Sequence, residues 1–195
     1  SSVVPQLTAT LKAAVKLVTG QDALIVGAGV KTGLNIGIDD PSEAGADLVA
    51  TAVAAIDMEL TLPTVIVDMG TATTITVVDK NRRLIGGAIL PGLAISSEAL
   101  IRSVSLLPHI PIEAPKKVIG TNSIDCMKSG AVLGTAAAID GMIDRIEEEL
   151  GIPVSVVATG GLAKKVIPFC RRDIRQETNL LLRGLSVIWQ KNQKI

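Results

Sequence analysis

The segment Asp68-Met-Gly-Thr-Ala-Thr-Thr74 carries residue types that can hold phosphate. A carboxylate at a strand end can bind a cation, and Gly70, lacking a side chain, lets backbone N–H groups come close to an anion. Thr71 and Thr73 add hydroxyl donors. The segment lies between two β-patterned runs, Thr64-Val-Ile-Val67 and Ile75-Thr-Val-Val-Asp79, so it reads as a hairpin with its turn available to a ligand. The same Asp-x-Gly pattern also serves as an ordinary strand-joining turn. The surrounding elements and motifs decide between the two meanings.

Three β runs, 64–67, 73–78 and 83–89, the last two joined by the polar turn Asp79-Lys-Asn-Arg82, predict an antiparallel meander. Ahead of it, Leu7, Leu11, Ala14, Val15 and Val18 recur at helical spacing over 6–19, with Gly20 as the stop. A short strand is expected at 22–26, followed by a loop rich in glycine (Gly27, Gly29, Gly33). A helix is then expected from Pro41 to Leu60, capped by Asp40 or Ser42, with Ala44, Leu48, Val49, Ala52, Val53 and Ile56 as its apolar stripe. Beyond the meander the pattern predicts a helix over 94–105, a loop punctuated by Pro108, Pro111 and Pro115, and one long helix over 123–150. A strand at 154–158, the turn Thr159-Gly-Gly161 and helices over 162–170 and 179–191 complete the chain. The composition shift near 60–63 divides it into 1–62 and 63–195.

The sequence has 195 residues, 48% of them hydrophobic, enough for a substantial core. Nineteen basic and nineteen acidic residues cancel, so no broad field favours nucleic acid or an anionic membrane. One Trp, one Phe and no Tyr leave no stacking platform for single-stranded nucleic acid. Cys126 and Cys170 lack metal-ligand spacing and the lone His109 cannot complete a Cys/His site, so both cysteines read as reduced thiols. No apolar run approaches the ~20 residues that span a bilayer. Nor does the N-terminus pair a charged region with an apolar core, and the chain reads as cytoplasmic.

Five motifs occur in order: Gly45-Ala-Asp47, Asp68-Met-Gly-Thr-Ala-Thr-Thr74, Gly86-Gly-Ala-Ile-Leu-Pro-Gly92, Met127-Lys-Ser-Gly130 and Ala158-Thr-Gly-Gly-Leu-Ala163. Their order resembles that of the type III pantothenate kinases, within the actin-like ATPase and sugar-kinase superfamily. The resemblance implies an α/β, actin-like ATPase (ribonuclease H-like) fold. In it 63–195 is the complete C-terminal domain and 1–62 a remnant of a truncated N-terminal one. The family begins with a further segment bearing an Asp-x-Gly-Asn-Thr phosphate loop, and Ser1-Ser-Val-Val-Pro5 is similar to an interior strand. Residues 1–195 alone, short of half the phosphate cradle, are therefore expected not to turn over. The implied activity is ATP-dependent phosphorylation of pantothenate to 4'-phosphopantothenate, the first step of coenzyme A biosynthesis. It uses ATP with Mg2+ and a monovalent cation (K+ or NH4+), in a homodimer.

Carried onto this chain, the resemblance makes Asp47 the general base for the pantothenate hydroxyl and Asp68 the ligand of the monovalent cation. Gly70 and Thr71 become ATP-phosphate contacts, and Gly160-Gly161 the adenosine turn. Gly45, Ala46 and Asp47, with Ile38, Leu48 and Ser123, make up the pantothenate pocket. Ser123 stands where the family reaches the neighbouring subunit's substrate, and it can equally cap the long helix. Two positions depart from the family, whose Arg after Gly-Ala-Asp is Leu48 here and whose upstream Tyr is Ile38. Each loss removes a donor to a carboxylate substrate, worth about 1.5–3 kcal/mol. They leave open a non-catalytic regulatory paralogue of the Bvg accessory factor type and a small-molecule kinase with altered substrate. Gly86-Gly87 and Pro91-Gly92 read as backbone shaping beside the hairpin, and the small residues from Ser129 to Ala138 as a face for another helix or a twin subunit.

Overall fold

The computed structural model describes residues 1–193 except Val3, so the strand-like start at 1–5 falls partly outside the described residues. Two compact units emerge, and neither is a single stretch of chain. One comprises Ser1–Leu60, Val78–Gly86 and the segment from Asn179 onward; the other comprises Thr61–Val77 and Gly87–Thr178. This grouping differs from a division at 62/63, because 78–86 and the last helix pack with the N-terminal stretch.

In the first unit, helix α1 (Pro5–Thr19) starts on a proline, whose missing N–H costs nothing in a first turn. It stops at Gly20, which takes φ +72° and donates its N–H to the Lys16 carbonyl. The apolar face expected on α1 is present but uncovered among the described residues, with Leu7, Leu11 and Val15 exposed and Val18 at 83%. The strand expected at 22–26 does not form. An extended segment becomes a strand only beside another, and no ladder reaches these residues. The two-residue strand β1 (Asn35–Ile36) forms instead, running parallel to the start of β4 (Arg83–Pro91), Asn35 opposite Arg83 and Ile36 opposite Leu84.

The single helix expected from Pro41 is also divided. Pro41–Glu43 forms one tight turn, capped by the Asp40 carboxylate, which accepts the Ser42 N–H at 2.9 Å. Ala44 and Gly45 then take extended backbone before α2 (Ala46–Asp57) begins. Every residue from Val49 to Ala55 is buried, so α2 is apolar almost all round rather than striped. Its partner is α7 (Leu180–Lys191), and the two backbones touch: a Cβ on Gly184 would collide with the Ala50 carbonyl oxygen. Arg183 pairs with Asp57 at 2.9 Å across the same contact.

The second unit is built on the strand order β4-β3-β2-β5-β6, with β2 at Thr64–Met69, β3 at Ala72–Val78, β5 at Ser155–Thr159 and β6 at Arg175–Gln176. Two residues join β2 to β3, too few for a crossover, so these strands are antiparallel as expected. β5 runs parallel to β2, with Thr64 opposite Ser155 and Asp68 opposite Thr159. Their near-continuous Val-Ile-Val and Val-Val-Ala runs suit strands covered on both faces. β6 was not foreseen; it pairs in parallel with β5.

Helix α3 (Leu93–Ser103) follows β4 directly. The long helix expected over 123–150 is interrupted: α4 (Ser123–Ser129) widens into a π-type turn at Gly130–Gly134 before α5 (Thr135–Leu150). Of its small residues Ala136 is buried, whereas Gly130, Gly134, Ala137 and Ala138 are exposed. Helix α6 (Ala163–Val166) is short and passes into a tight turn at Ile167–Phe169.

Candidate active site

β2 delivers Asp68 to its C-terminal end, half-buried, where the parallel register sets Thr159 beside it. The chain next to Thr159 turns at Gly160, which takes φ +97°. A Cβ on Gly160 would lie 2.6 Å from the N, C and O atoms of Met69, so only glycine fits. The Asp68 and Thr159-Gly-Gly161 motifs, far apart in sequence, thus meet backbone to backbone.

The hairpin turn itself is exposed at Gly70 and Thr71. Its Gly70 N–H donates to the Ala72 carbonyl at 3.0 Å, and its Thr71 carbonyl accepts the Gly92 N–H at 3.1 Å. Thr73 is placed differently from the expectation that it offers a hydroxyl donor to a ligand. β3 has already begun at Ala72, and Thr73 lies in the strand, 2% exposed. Its Oγ1 is the single buried side-chain oxygen or nitrogen without a hydrogen-bond partner among the described residues.

The acceptor-side residues belong to the first unit. Asp47 stands in the first turn of α2, half-buried, and its Oδ1 accepts the Leu48 N–H at 2.9 Å. A side chain on Gly45 would run into that same oxygen, so the glycine leaves the Asp47 carboxylate room where it stands. Ile38 and Leu48 are half-buried aliphatics. A cavity of about 520 Å3 lies alongside, lined by Gly27, Gly29, Leu34, Ala44 and Ala46 among others. Of the acceptor-side residues expected from the sequence only Ala46 lines it.

Ser123, in the second unit, is exposed as the first residue of α4, and it is not the helix cap. Asn122 caps instead, its Oδ1 accepting the Asp125 N–H at 2.9 Å and its Nδ2 donating to Asp125 Oδ2 at 2.8 Å. The motif Met127-Lys-Ser-Gly130 is structural: Lys128 pairs with Glu113 at 3.0 Å and Ser129 Oγ donates to the Val118 carbonyl at 2.6 Å, tying down the proline-rich loop. His109 on that loop comes within 4.0 Å of Glu98.

The Val154 N–H, with Arg172 beside it, holds the Glu147 carboxyl below the usual carboxylate range. Burial, helped by the charge of Asp140, pushes the Cys170 thiol up to about 12. Both cysteines are free. Among the described residues no group of three or more His, Cys, Asp or Glu is placed to hold a metal. No helix among them is long and apolar enough to cross a membrane.

Gly92 is the residue whose importance sequence reasoning understated: it is buried, and its position against Gly70 and Thr71 makes it part of the hairpin's support. Its signal was the glycine ending the Pro91-Gly92 pair, but which backbone it meets is a tertiary fact.

An antiparallel meander continued by a parallel strand, with helices following β4 and β5, defines the actin-like ATPase fold. The crystal structure of a protein from Campylobacter jejuni, described as a conserved Baf family transcriptional activator, shares it. The TM-score is 0.67 over 97% of this chain and 80% of that one, at 19% identity, a likeness of fold alone. Sequence narrows the class. The model of the type III pantothenate kinase family matches residues 1–145. The type III pantothenate kinase of Halalkalibacterium halodurans is 42% identical over 98% of this chain and 75% of its own length. That of Brevibacillus brevis is 43% identical over 99% of this chain and 75% of its own length. The chain belongs to the type III pantothenate kinase family.

Proposed function

We propose that the protein carrying this chain phosphorylates pantothenate with ATP, giving 4'-phosphopantothenate at the start of coenzyme A biosynthesis. Beyond the family membership, one observation carries this reading. The Gly70–Thr71 turn is exposed, yet its Thr71 carbonyl is engaged by Gly92 and its Ala72 carbonyl by Gly70. The Gly70 N–H is spent on the Ala72 carbonyl, so what the exposed turn offers an approaching anion is the Thr71 hydroxyl. The curated relatives are named as kinases, which favours the catalytic reading over the regulatory one.

Asp47 accepts the proton of the pantothenate hydroxyl, with Gly45 leaving its carboxylate room. Gly70 and Thr71 steady the transferred phosphoryl group, and Gly160-Gly161 form the nucleotide's other wall. Positioning of this kind supplies most of the acceleration in phosphoryl transfer. Asp68, a single carboxylate at the end of β2, would hold the monovalent cation, K+ or NH4+, for which one negative charge suffices. Mg2+ comes with the ATP phosphates and neutralises charge there. Leu48 and Ile38 leave the acceptor's carboxylate with fewer charged partners, so pantothenate is bound weakly.

The exposed small residues Gly130, Gly134, Ala137 and Ala138, with the exposed Leu106, Val118 and Ile119, support a homodimer in which Ser123 reaches the partner's substrate. The cytoplasm is the compartment of such an enzyme. The test is pantothenate phosphorylation by the full-length protein carrying this chain, with ATP, Mg2+ and K+. Asp47→Asn is expected to lower kcat by about 10²- to 10⁴-fold, the usual weight of a general base, with little change in the KM for ATP. Absence of phosphopantothenate from the unsubstituted protein overturns the kinase reading, and full activity in the variant removes Asp47 from the chemistry.

A further inference from the structure

We infer that Gly92 is a positioning residue for the nucleotide, holding the Gly70–Thr71 turn in its anion-facing form; this rests on the turn being the phosphate contact proposed above. Gly92 is buried at the cap of α3, with φ −64° and ψ 147°. Any residue adopts that backbone conformation, so the requirement for glycine there is one of space. A Cβ at 92 would collide with the Thr71 carbonyl oxygen and lie 2.7 Å from both the Gly70 carbonyl oxygen and the Thr71 carbonyl carbon. These are backbone atoms of the turn and cannot swing aside as a side-chain tip can. Gly70, at the turn itself, is far less constrained: its added Cβ would meet the Ala72 oxygen at 3.7 Å and Asp68 Oδ1 at 3.9 Å, ordinary contact distances.

The polar geometry points the same way. The Gly92 N–H donates to the Thr71 carbonyl at 3.1 Å, and the Gly92 carbonyl in turn accepts the Ser96 N–H at 2.9 Å, so the first turn of α3 anchors the hairpin. Each carbonyl held on this side is one fewer negative dipole facing a phosphate. A side chain at 92 must push the Gly70–Thr71 peptide and the start of α3 apart, which breaks the Gly92–Thr71 hydrogen bond and frees the Thr71 carbonyl. The glycine therefore acts on the nucleotide through Thr71, without touching it.

Gly87 provides a matched control in the same β3–β4 pair. A Cβ there would also collide with a backbone carbonyl oxygen, that of Ile75, well inside β3 and away from the turn. In the full-length protein, Gly92→Ala is expected to weaken binding of ATP with Mg2+ by about tenfold or more, since small misplacements of a positioning group are costly. Gly87→Ala is expected to lower the melting temperature with ATP affinity unchanged at a temperature where it is folded. Hydrogen exchange on the unsubstituted protein reads the same contact without any variant, and decides the matter if Gly92→Ala does not fold. Addition of ATP is expected to slow exchange of both the Thr71 and the Gly92 amides. Equal ATP affinity in the two alanine variants overturns the inference. ATP protection of the Thr71 amide but not the Gly92 amide overturns it too, while leaving the phosphate reading intact. Protection of neither amide by saturating ATP removes the phosphate reading and the inference together.

Discussion

Around Asp68 the candidate residues are held by backbone against backbone: Gly160 lies on Met69, Gly92 lies on Gly70 and Thr71, and the parallel register places Asp68 beside Thr159. Around Asp47, in the other compact unit, the support is lighter, one N–H from Leu48 and a glycine that leaves the carboxylate room. Phosphate is recognised by N–H groups and small dipoles, which the main chain can supply wherever side chains are absent. A proton acceptor and an organic acid need particular side chains, and these can be exchanged without disturbing the frame. Such freedom fits the presence of Leu48 and Ile38 on the acceptor side, while the glycines and Asp68 are all in place.

The unit holding Asp47 has one comparably tight backbone contact, Gly184 on Ala50. Gly184→Ala is expected to cost about 3 kcal/mol, the upper range for overpacking a core, and to lower the melting temperature by roughly 6–12 °C. ATP affinity should stay unchanged in the folded variant; a parallel loss would mean that the two units are not separable in this way. Thr73→Val, tested by thermal melting without nucleotide, is expected to raise stability by about 1 kcal/mol, because it removes a buried hydroxyl that has no partner. Thr73→Ser should leave stability close to or below that of the unsubstituted protein. A Thr73→Val protein that melts lower would show that the hydroxyl has found a partner, and that the hairpin is braced by side chains as well as backbone.

The smallest effect concerns acid. The folded Glu147 carboxyl lies below its ordinary 4.5 because of the Val154 N–H and Arg172. Its contribution is therefore fully present above about pH 4.5 and is lost as the pH falls through the lower folded value. In Glu147→Gln, the decline in melting temperature between about pH 5 and 3 should be shallower than in the unsubstituted protein. Identical slopes would mean that this tie between α5 and the start of β5 contributes nothing to stability.

The hairpin was legible because its chemistry lies in residue types, Asp68 with Gly70-Thr71 and the Gly160-Gly161 pair, of which Gly160 announces a backbone requirement. The strand expected at 22–26 failed for a different reason, since a β pattern is necessary for a strand but a neighbour is what makes one. The break at 130–134 was hidden because Gly, Ala and Val tolerate either a regular or a widened turn. Asn122 and Ser123 are both good caps, and only the path of the chain selects Asn122. The burial of Thr73 turned on which face of β3 it takes, because a residue already inside the 73–78 run points either to the core or away from it. The grouping of α7 with α2 is a long-range choice, set by Gly184 finding Ala50, that no local pattern encodes.

That last pairing has a consequence for how the chain matures on the ribosome. Helix α2, with Val49 to Ala55 all destined for burial, is synthesised early, whereas its partner α7 is synthesised only after the whole of the other unit. Domains emerge from the N-terminal side first, so until α7 is made an almost wholly apolar helix waits without its cover. The segment Thr61–Thr178, complete sooner apart from the 78–86 excursion, can settle meanwhile. A chain stalled before Leu180 would present α2 to chaperones until α7 arrives to cover it.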